Sequence, residues 1–250
     1  MTARVLVIAG SDSGGGAGIQ ADIKAISALG GHAMTAITAI TAQNSLSVSA
    51  VHTVPADMVL AQIDAVLSDI GVDAVKIGMI GSADTAHAVA DRLERLDWVP
   101  IVFDPVMVAS SGSVLADADT IAAFARLMKL AILTTPNLPE LEALGGERAV
   151  LTQRCALLAK GGHGEGDILT DRLIDTDGTE TVWSDVRIDT PHTHGTGCTL
   201  ASAIATGLAQ GMTLPNSIAR ARRYVRAALQ SAPGLGQGHG PMGFPVEPFT

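Results

Sequence analysis

Four short segments of the chain carry residue types able to do chemistry together. The first is Thr193-His194-Gly195-Thr196-Gly197-Cys198-Thr199, which runs into the apolar stretch 200–209. Glycines that open a helix leave the amides of Gly195, Thr196, Gly197 and Cys198 without intrahelical acceptors, at the positive end of the helix dipole. Such a cluster suits the charge on a transferring phosphoryl group. A thiol in that first turn is expected to have a lowered pKa and to help take a proton from an attacking hydroxyl. The bland alternative is a small buried residue in a capped helix.

The second segment is Gly10-Ser11-Asp12-Ser13-Gly14-Gly15-Gly16-Ala17-Gly18, a turn between a strand and a helix beginning near Ile19. It satisfies a loose dinucleotide-binding pattern, but that reading wants an acid about 20 positions on, and none lies between Asp22 and Asp57. No Gly-Lys-[Ser/Thr] closes the loop as in a nucleotide P-loop. The third is Thr135-Pro136-Asn137-Leu138-Pro139-Glu140. Asn137 reads either as a helix cap or, with Asp104 and Glu140, as an oxygen ligand for Mg²⁺, which takes few protein ligands. The fourth is Lys160-Gly161-Gly162-His163, a lysine at the end of a strand, where open α/β sheets bind ligands.

Something must hold these segments at one edge. Runs at 5–9, 34–40, 74–80, 101–104, 131–134 and 156–159 read as strands, most of them apolar on both faces. Helical spacing at 57–70, 82–96 and 119–130 supplies crossovers, which points to a largely parallel α/β sheet. Residues 175–188 alternate like antiparallel edge strands around Thr176-Asp177-Gly178-Thr179, giving the sheet a mixed edge. Ala-rich helices are expected at 196–209 and 214–232, the second carrying Arg220, Arg222, Arg223 and Arg226 as a solvated face. Residues 233–250 read as irregular. No repeat or linker divides residues 1–250, so one domain is expected.

Composition narrows the partners. With 47% hydrophobic and 16% charged residues the chain is neither disordered nor fibrous. A net charge of −9 offers no basic field for nucleic acid. Two cysteines, Cys155 and Cys198, suit a reducing compartment, and the cytoplasm is expected. The N-terminus lacks a signal-peptide cleavage site. The uncharged stretch 25–56 is too interrupted by polar residues to span a membrane. His163, His194 and His239 have no zinc-spaced companions, and no structural metal is expected.

Together and in this order, these segments resemble the hydroxymethylpyrimidine/phosphomethylpyrimidine kinases of thiamin biosynthesis, in the ribokinase-like superfamily. Thr38-Ala39-Ile40-Thr41-Ala42-Gln43-Asn44, Lys76-Ile77-Gly78-Met79, Asp104-Pro105-Val106-Met107 and Gly234-Leu235-Gly236-Gln237-Gly238-His239-Gly240-Pro241 complete the match nearly end to end. The resemblance implies a three-layer α/β/α fold, ATP with Mg²⁺, and phosphorylation of 4-amino-5-hydroxymethyl-2-methylpyrimidine and then of its monophosphate. It implies that Gln43 reads the aminopyrimidine edge, a task for which an amide both donates and accepts. Gly10 and Ala17 would let backbone approach the ring, Met79 and Val106 would supply apolar contacts, and Asp22 would join the same pocket. Gly195, Thr196, Gly197 and Cys198 would form the anion hole, with Lys160 a phosphate contact. Asp104, Asn137 and Glu140 would organise nucleotide phosphates, Asp104 and Glu140 holding the Mg²⁺.

The resemblance also suggests a homodimer. Two departures stand out: the stretch from Glu140 to Lys160 is shorter than is usual, and His192 stands where an Asn is common. The nearest alternative is a pyridoxal kinase. A binding module without turnover and a dehydrogenase reading of the first glycine loop are more distant ones.

Overall fold

The computed structural model describes residues 1–96, 99–109, 111–163 and 166–245. Its strands are β1 (Arg4–Asp12), β2 (His32–Gln43), β3 (Val48–Thr53), β4 (Ala74–Ile77), β5 (Ile101–Phe103), β6 (Leu133–Thr134), β7 (Ala156–Ala159), β8 (Ile168–Ile174) and β9 (Glu180–Val186). The helices are α1 (Gly18–Ala28), α2 (Ala56–Asp69), α3 (Ala83–Leu93), α4 (Ala118–Leu130), α5 (Leu138–Ala143), α6 (Glu147–Leu151), α7 (Thr196–Ala209) and α8 (Leu214–Gln230).

Along β1, Leu6 and Ile8 alternate with Val5 and Val7, and all four are fully buried. A strand apolar on both sides needs cover on both sides. Leu6 and Ile8 pack in one core with Val59 and Ile63 of α2, Val89 of α3 and Phe124 of α4. Val5 and Val7 pack in another with Ile26 of α1, Ile204 of α7 and Ile218 of α8. The result is a three-layer α/β/α arrangement around one nine-stranded sheet ordered β3-β2-β1-β4-β5-β6-β7-β8-β9. Strands β2, β1, β4, β5, β6 and β7 pair in parallel, while β3 at one end and β8 and β9 at the other are antiparallel. Both margins are mixed, where the sequence suggests only one.

The chain leaves β1 for β2 on one side and later reaches β4 on the other, so the β1/β4 boundary is the switch point where such sheets open a crevice. Local capping starts two of the helices that cover one face of the sheet. Ser82 accepts from the Thr85 amide at 3.1 Å to start α3, and Asp117 accepts from Thr120 at 2.8 Å to start α4.

Three sequence expectations shift. β1 runs on to Asp12 because its pairing with β2 continues past a bulge between Ala9 and Ser11, and β2 runs on to Gln43 because it pairs there with Val48 of β3. β3 escapes sequence reading because it is an exposed edge with mixed polar and apolar side chains. The arginines of α8 are not uniformly solvated: Arg222 is 9% exposed, its Nε donating to Asp171 Oδ2 at 2.7 Å and its Nη2 pairing with Asp185 Oδ2 at 2.8 Å. The β8–β9 hairpin folds against α8 and brings both carboxylates there. Of the tail expected to be irregular, 233–245 has no helix or strand, and its Gln237 and Gly238 amides donate to Ser45 Oγ. The rest of it, 246–250, lies outside the described residues. Among the described residues no helix is long and apolar enough to cross a membrane.

Candidate active site

Every strand from β1 to β7 that pairs in parallel delivers a residue to one edge of the sheet, at or just beyond its C-terminal end. These are Asp12 and Gln43 on β1 and β2, Met79 after β4, Asp104 after β5, Asn137 after β6 and Lys160 after β7. Together with the start of α7 they line a cavity of about 870 Å³, a size suited to small-molecule ligands.

The glycine loop closes on its own acid. Asp12 Oδ1 accepts the Gly14 amide at 2.8 Å, and Oδ2 accepts those of Gly16 at 3.0 Å and Ala17 at 2.8 Å. Amides committed in this way are not a phosphate cradle, which removes the dehydrogenase reading of this loop. Burial opposes ionisation of Asp12, but the bonds from His194 and from the loop hold its carboxyl below the usual range. Gly10 and Ala17 line the cavity, as the sequence suggests.

At the start of α7, Gly195 has φ +85°, and a Cβ there would lie 1.9 Å from the Gly16 carbonyl oxygen. Only glycine lets the two glycine segments meet. Of the four amides expected to converge, that of Thr196 is taken by the Thr193 carbonyl at 3.3 Å. A Cβ on Gly197 would sit 3.4 Å from both Asp104 Oδ2 and Lys160 Nζ. The helix start therefore faces a charged pair across a gap.

That pair is Lys160 Nζ and Asp104 Oδ1, 3.0 Å apart, with Thr135 Oγ1 donating to the same oxygen at 2.9 Å. Burial opposes it, but Lys160 and Lys76 hold the Asp104 carboxyl low. Glu140 behaves differently: burial pushes it up to about 7, Lys160 opposing and Asp104 adding to the rise. Asn137 lines the cavity and also caps α5: its Oδ1 accepts the Glu140 amide at 2.9 Å while Glu140 Oε2 accepts the Asn137 amide at 2.8 Å, a reciprocal box. Among the described residues no cluster of three or more metal-ligating side chains occurs. Two buried carboxylates, one of them reluctant to ionise beside the other, still fit a Mg²⁺ ion that keeps most of its waters.

Two expectations are corrected here. Asp22 does not line the cavity. It is fully buried behind it, taking Lys76 Nζ at 2.9 and 3.0 Å and Ser202 Oγ at 2.7 Å. Burial disfavours the Lys76 ammonium, but Asp22, Cys198 and Asp104 together outweigh it and its pKa is raised, while burial raises the Asp22 carboxyl against the pull of Lys76 and Ser202. Cys198 does line the cavity, yet its pKa is not lowered: burial pushes the thiol up to about 11, with Lys76 pulling the other way and Asp22 and Asp104 adding to the rise. The helix dipole is outweighed by the low dielectric and by two nearby carboxylates.

Gln43, Met79 and Val106 line the other end of the cavity. The residues that sequence reasoning missed are Asp12 and His194: His194 Nε2 lies 2.9 Å from Asp12 Oδ2 and 3.2 Å from the Gln43 amide. His194 was visible only as part of a motif. His192 does not line the cavity; it packs on Gly240, where a Cβ would lie 2.2 Å from its Nδ1. The same cavity is lined by Arg187 and Ile188 and by Val225, Arg226 and Leu229 of α8.

The family model described as phosphomethylpyrimidine kinase matches residues 12–243. A hydroxymethylpyrimidine/phosphomethylpyrimidine kinase of Rhizobium meliloti is 48% identical, covering 97% of each chain. Among solved structures, the pyridoxal kinase of Bacillus subtilis in complex with ADP superposes with a TM-score of 0.88 at 31% identity, covering 98% of each chain. The phosphomethylpyrimidine kinase of Clostridium difficile superposes with a TM-score of 0.79 at 36% identity, covering 91% of this chain and 99% of that one.

Proposed function

The chain belongs to the phosphomethylpyrimidine kinase family, and from that premise we propose how its cavity carries out the reaction. The activity is that of a kinase in thiamin biosynthesis, phosphorylating 4-amino-5-hydroxymethyl-2-methylpyrimidine and then its monophosphate with ATP. The observation that carries the assignment to this cavity is that one space is lined by Gln43, by Lys160 and by the start of α7.

The ring lies between Met79 and Val106 with its amine edge on Gln43, and the hydroxymethyl oxygen faces the gap beside Gly197. The nucleotide enters from the far end, its base against Ile188, Val225 and Leu229 and its phosphates toward Lys160 and the amides of Gly197 and Cys198. In the first step the substrate oxygen forms a bond to the γ-phosphorus, the bond to the β–γ bridging oxygen breaks, and ADP departs. In the second the monophosphate oxygen is the nucleophile. Little covalent assistance is needed, so alignment and neutralised charge carry most of the rate. Mg²⁺ would be held by Asp104 and Glu140 and would supply positive charge to the phosphates. The bland reading of the Lys160–Asp104 pair, a structural ion pair, does not account for its position facing open cavity.

Cys198 is proposed to take the substrate proton through its thiolate, the minor form that its raised pKa leaves near neutral pH, so that kcat rises with pH. Cys198→Ala is expected to lower kcat about 100-fold, and Cys198→Asp, ionised at neutral pH, to recover part of the loss. An unchanged kcat in the alanine variant defeats the role.

The direct test is a mass-spectrometric assay of the purified protein with Mg-ATP, following both pyrimidine phosphates, with pyridoxal in parallel. Both pyrimidine products are expected. Gln43→Leu is expected to cut kcat/KM for the pyrimidine about 100-fold, since the ring's polar edge is left unpaired; phosphorylation of pyridoxal alone by the parent protein would refute the Gln43 assignment. We also propose a cytoplasmic homodimer. Ile40, Leu46 and Val51 are exposed apolar side chains at the β2–β3 margin and suit burial by a second copy. A mass of 25.5 kDa by light scattering, that of one chain, would exclude it.

A further inference from the structure

Four side chains at the ring end of the cavity, Asp12, His194, Gln43 and Thr41, form a network whose donors and acceptors must be matched. Asp12 Oδ2 already accepts two loop amides, those of Gly16 and Ala17, and as a carboxylate it can only accept. His194 Nε2, 2.9 Å away, must therefore carry a proton and donate to it, whatever the state of the other ring nitrogen. A ring nitrogen that donates cannot accept from the Gln43 amide nitrogen, which lies 3.2 Å from it. A second conflict sits at the other end of the same amide. Thr41 Oγ1 has one proton and lies 3.0 Å from the Ser11 carbonyl oxygen and 3.1 Å from Gln43 Oε1, both of them acceptors. Turning the amide end for end removes the clash of donors and leaves the Thr41 proton with one acceptor. Its oxygen then shares the His194 Nε2–H with Asp12 Oδ2 in a bifurcated bond, its nitrogen donates to Thr41 Oγ1, and Thr41 donates to Ser11.

We propose that His194, held by Asp12, together with Thr41 sets which end of the Gln43 amide faces which side of the cavity, and thereby selects aminopyrimidines over their oxo counterparts. This rests on Gln43 reading the ring. With the amide anchored at both ends, one N–H and one oxygen lone pair remain to meet a ligand, in a fixed order. A 4-aminopyrimidine presents a ring acceptor beside an exocyclic donor. The 4-oxo ring presents a ring N–H donor beside a carbonyl acceptor, the reverse order. In the same pose an oxo ring would meet donor with donor and acceptor with acceptor, unless the amide turned over against His194 and Thr41. His194 and Thr41 are thus positioning residues acting through Gln43.

The test is the ratio of kcat/KM for 4-amino-5-hydroxymethyl-2-methylpyrimidine to that for its 4-oxo analogue, in the parent protein and in His194→Phe, Thr41→Val, His194→Gln and Gln43→Leu. Phenylalanine keeps a planar ring but cannot donate, and valine keeps the threonine shape but cannot accept. Each is expected to lower the preference for the amine by about tenfold or more, through a KM for the oxo ring that falls or holds while that for the amine rises. His194→Gln, which can still donate to Asp12, is expected to restore much of the preference. A merely structural role would raise both KM values together and leave the ratio unchanged in both His194→Phe and Thr41→Val; that result overturns the proposal. If Gln43→Leu keeps the preference, the reading of Gln43 itself fails. If Gln43→Leu abolishes it while His194→Phe and Thr41→Val retain it, Gln43 stands and the orienting role of its neighbours falls.

Discussion

Lys160→Met is expected to lower kcat by about 100- to 1,000-fold, the scale on which a single preorganised charge-stabilising group contributes. Lys160 is the cation that faces Gly197 across the gap, and it is paired with Asp104 at 3.0 Å. Without it, Asp104 and Glu140 confront the nucleotide phosphates with one fewer positive charge between them. Glu140, pushed up to about 7 chiefly by burial, loses the neighbour that opposes that rise. Its protonation therefore extends to higher pH in the variant, and the acid limb of the kcat/KM profile for Mg-ATP should move upward. Steady-state kinetics between pH 6 and about 9 read both effects. A kcat within threefold of the parent, with an unmoved acid limb, would show that Lys160 serves the Asp104 carboxylate and not the transferred group.

Lys76→Met is expected to destabilise the fold by about 3–5 kcal/mol, the cost of leaving a buried charge without its partner. Lys76 and Asp22 are both fully buried, and Ser202 donates to the same carboxylate. Removing the ammonium leaves Asp22 ionised in the core or forces it to protonate, and either state is costly. Asp22→Leu combined with Lys76→Met removes both charges, so the double variant should recover much of the loss. Urea unfolding of the single and double variants measures this. A single variant within about 1 kcal/mol of the parent would refute the account, as would a double variant that is no better than the single.

The correction at Asp22 shows where sequence reasoning stops. Its place in a family signature suggested ligand contact, whereas its partners are Lys76 and Ser202, 54 and 180 positions away. Nothing in the spacing of Asp22 from its neighbours signals a lysine arriving on β4. Arg222 repeats the lesson: its position on an amphipathic helix reads as solvated, and only the return of the β8–β9 hairpin supplies Asp171 and Asp185. The thiol of Cys198 is a third case. The helix start was legible, but the sign of the pKa shift depends on burial and on carboxylates contributed by other elements.

What the sequence determined by itself is local. The alternation in β1 demands cover on both faces, Asn137 ahead of Pro139 allows a helix cap, and Gly195-Thr196-Gly197-Cys198 writes a helix start. These follow from dihedral preference and side-chain period, which adjacent residues set. The tertiary structure alone decided which charges are paired, which thiol is suppressed, and that His194 reaches Asp12 across 182 positions to meet the Gln43 amide. Electrostatic energies and hydrogen-bond order depend on dielectric and distance, and both are properties of the packed molecule rather than of neighbours along the chain.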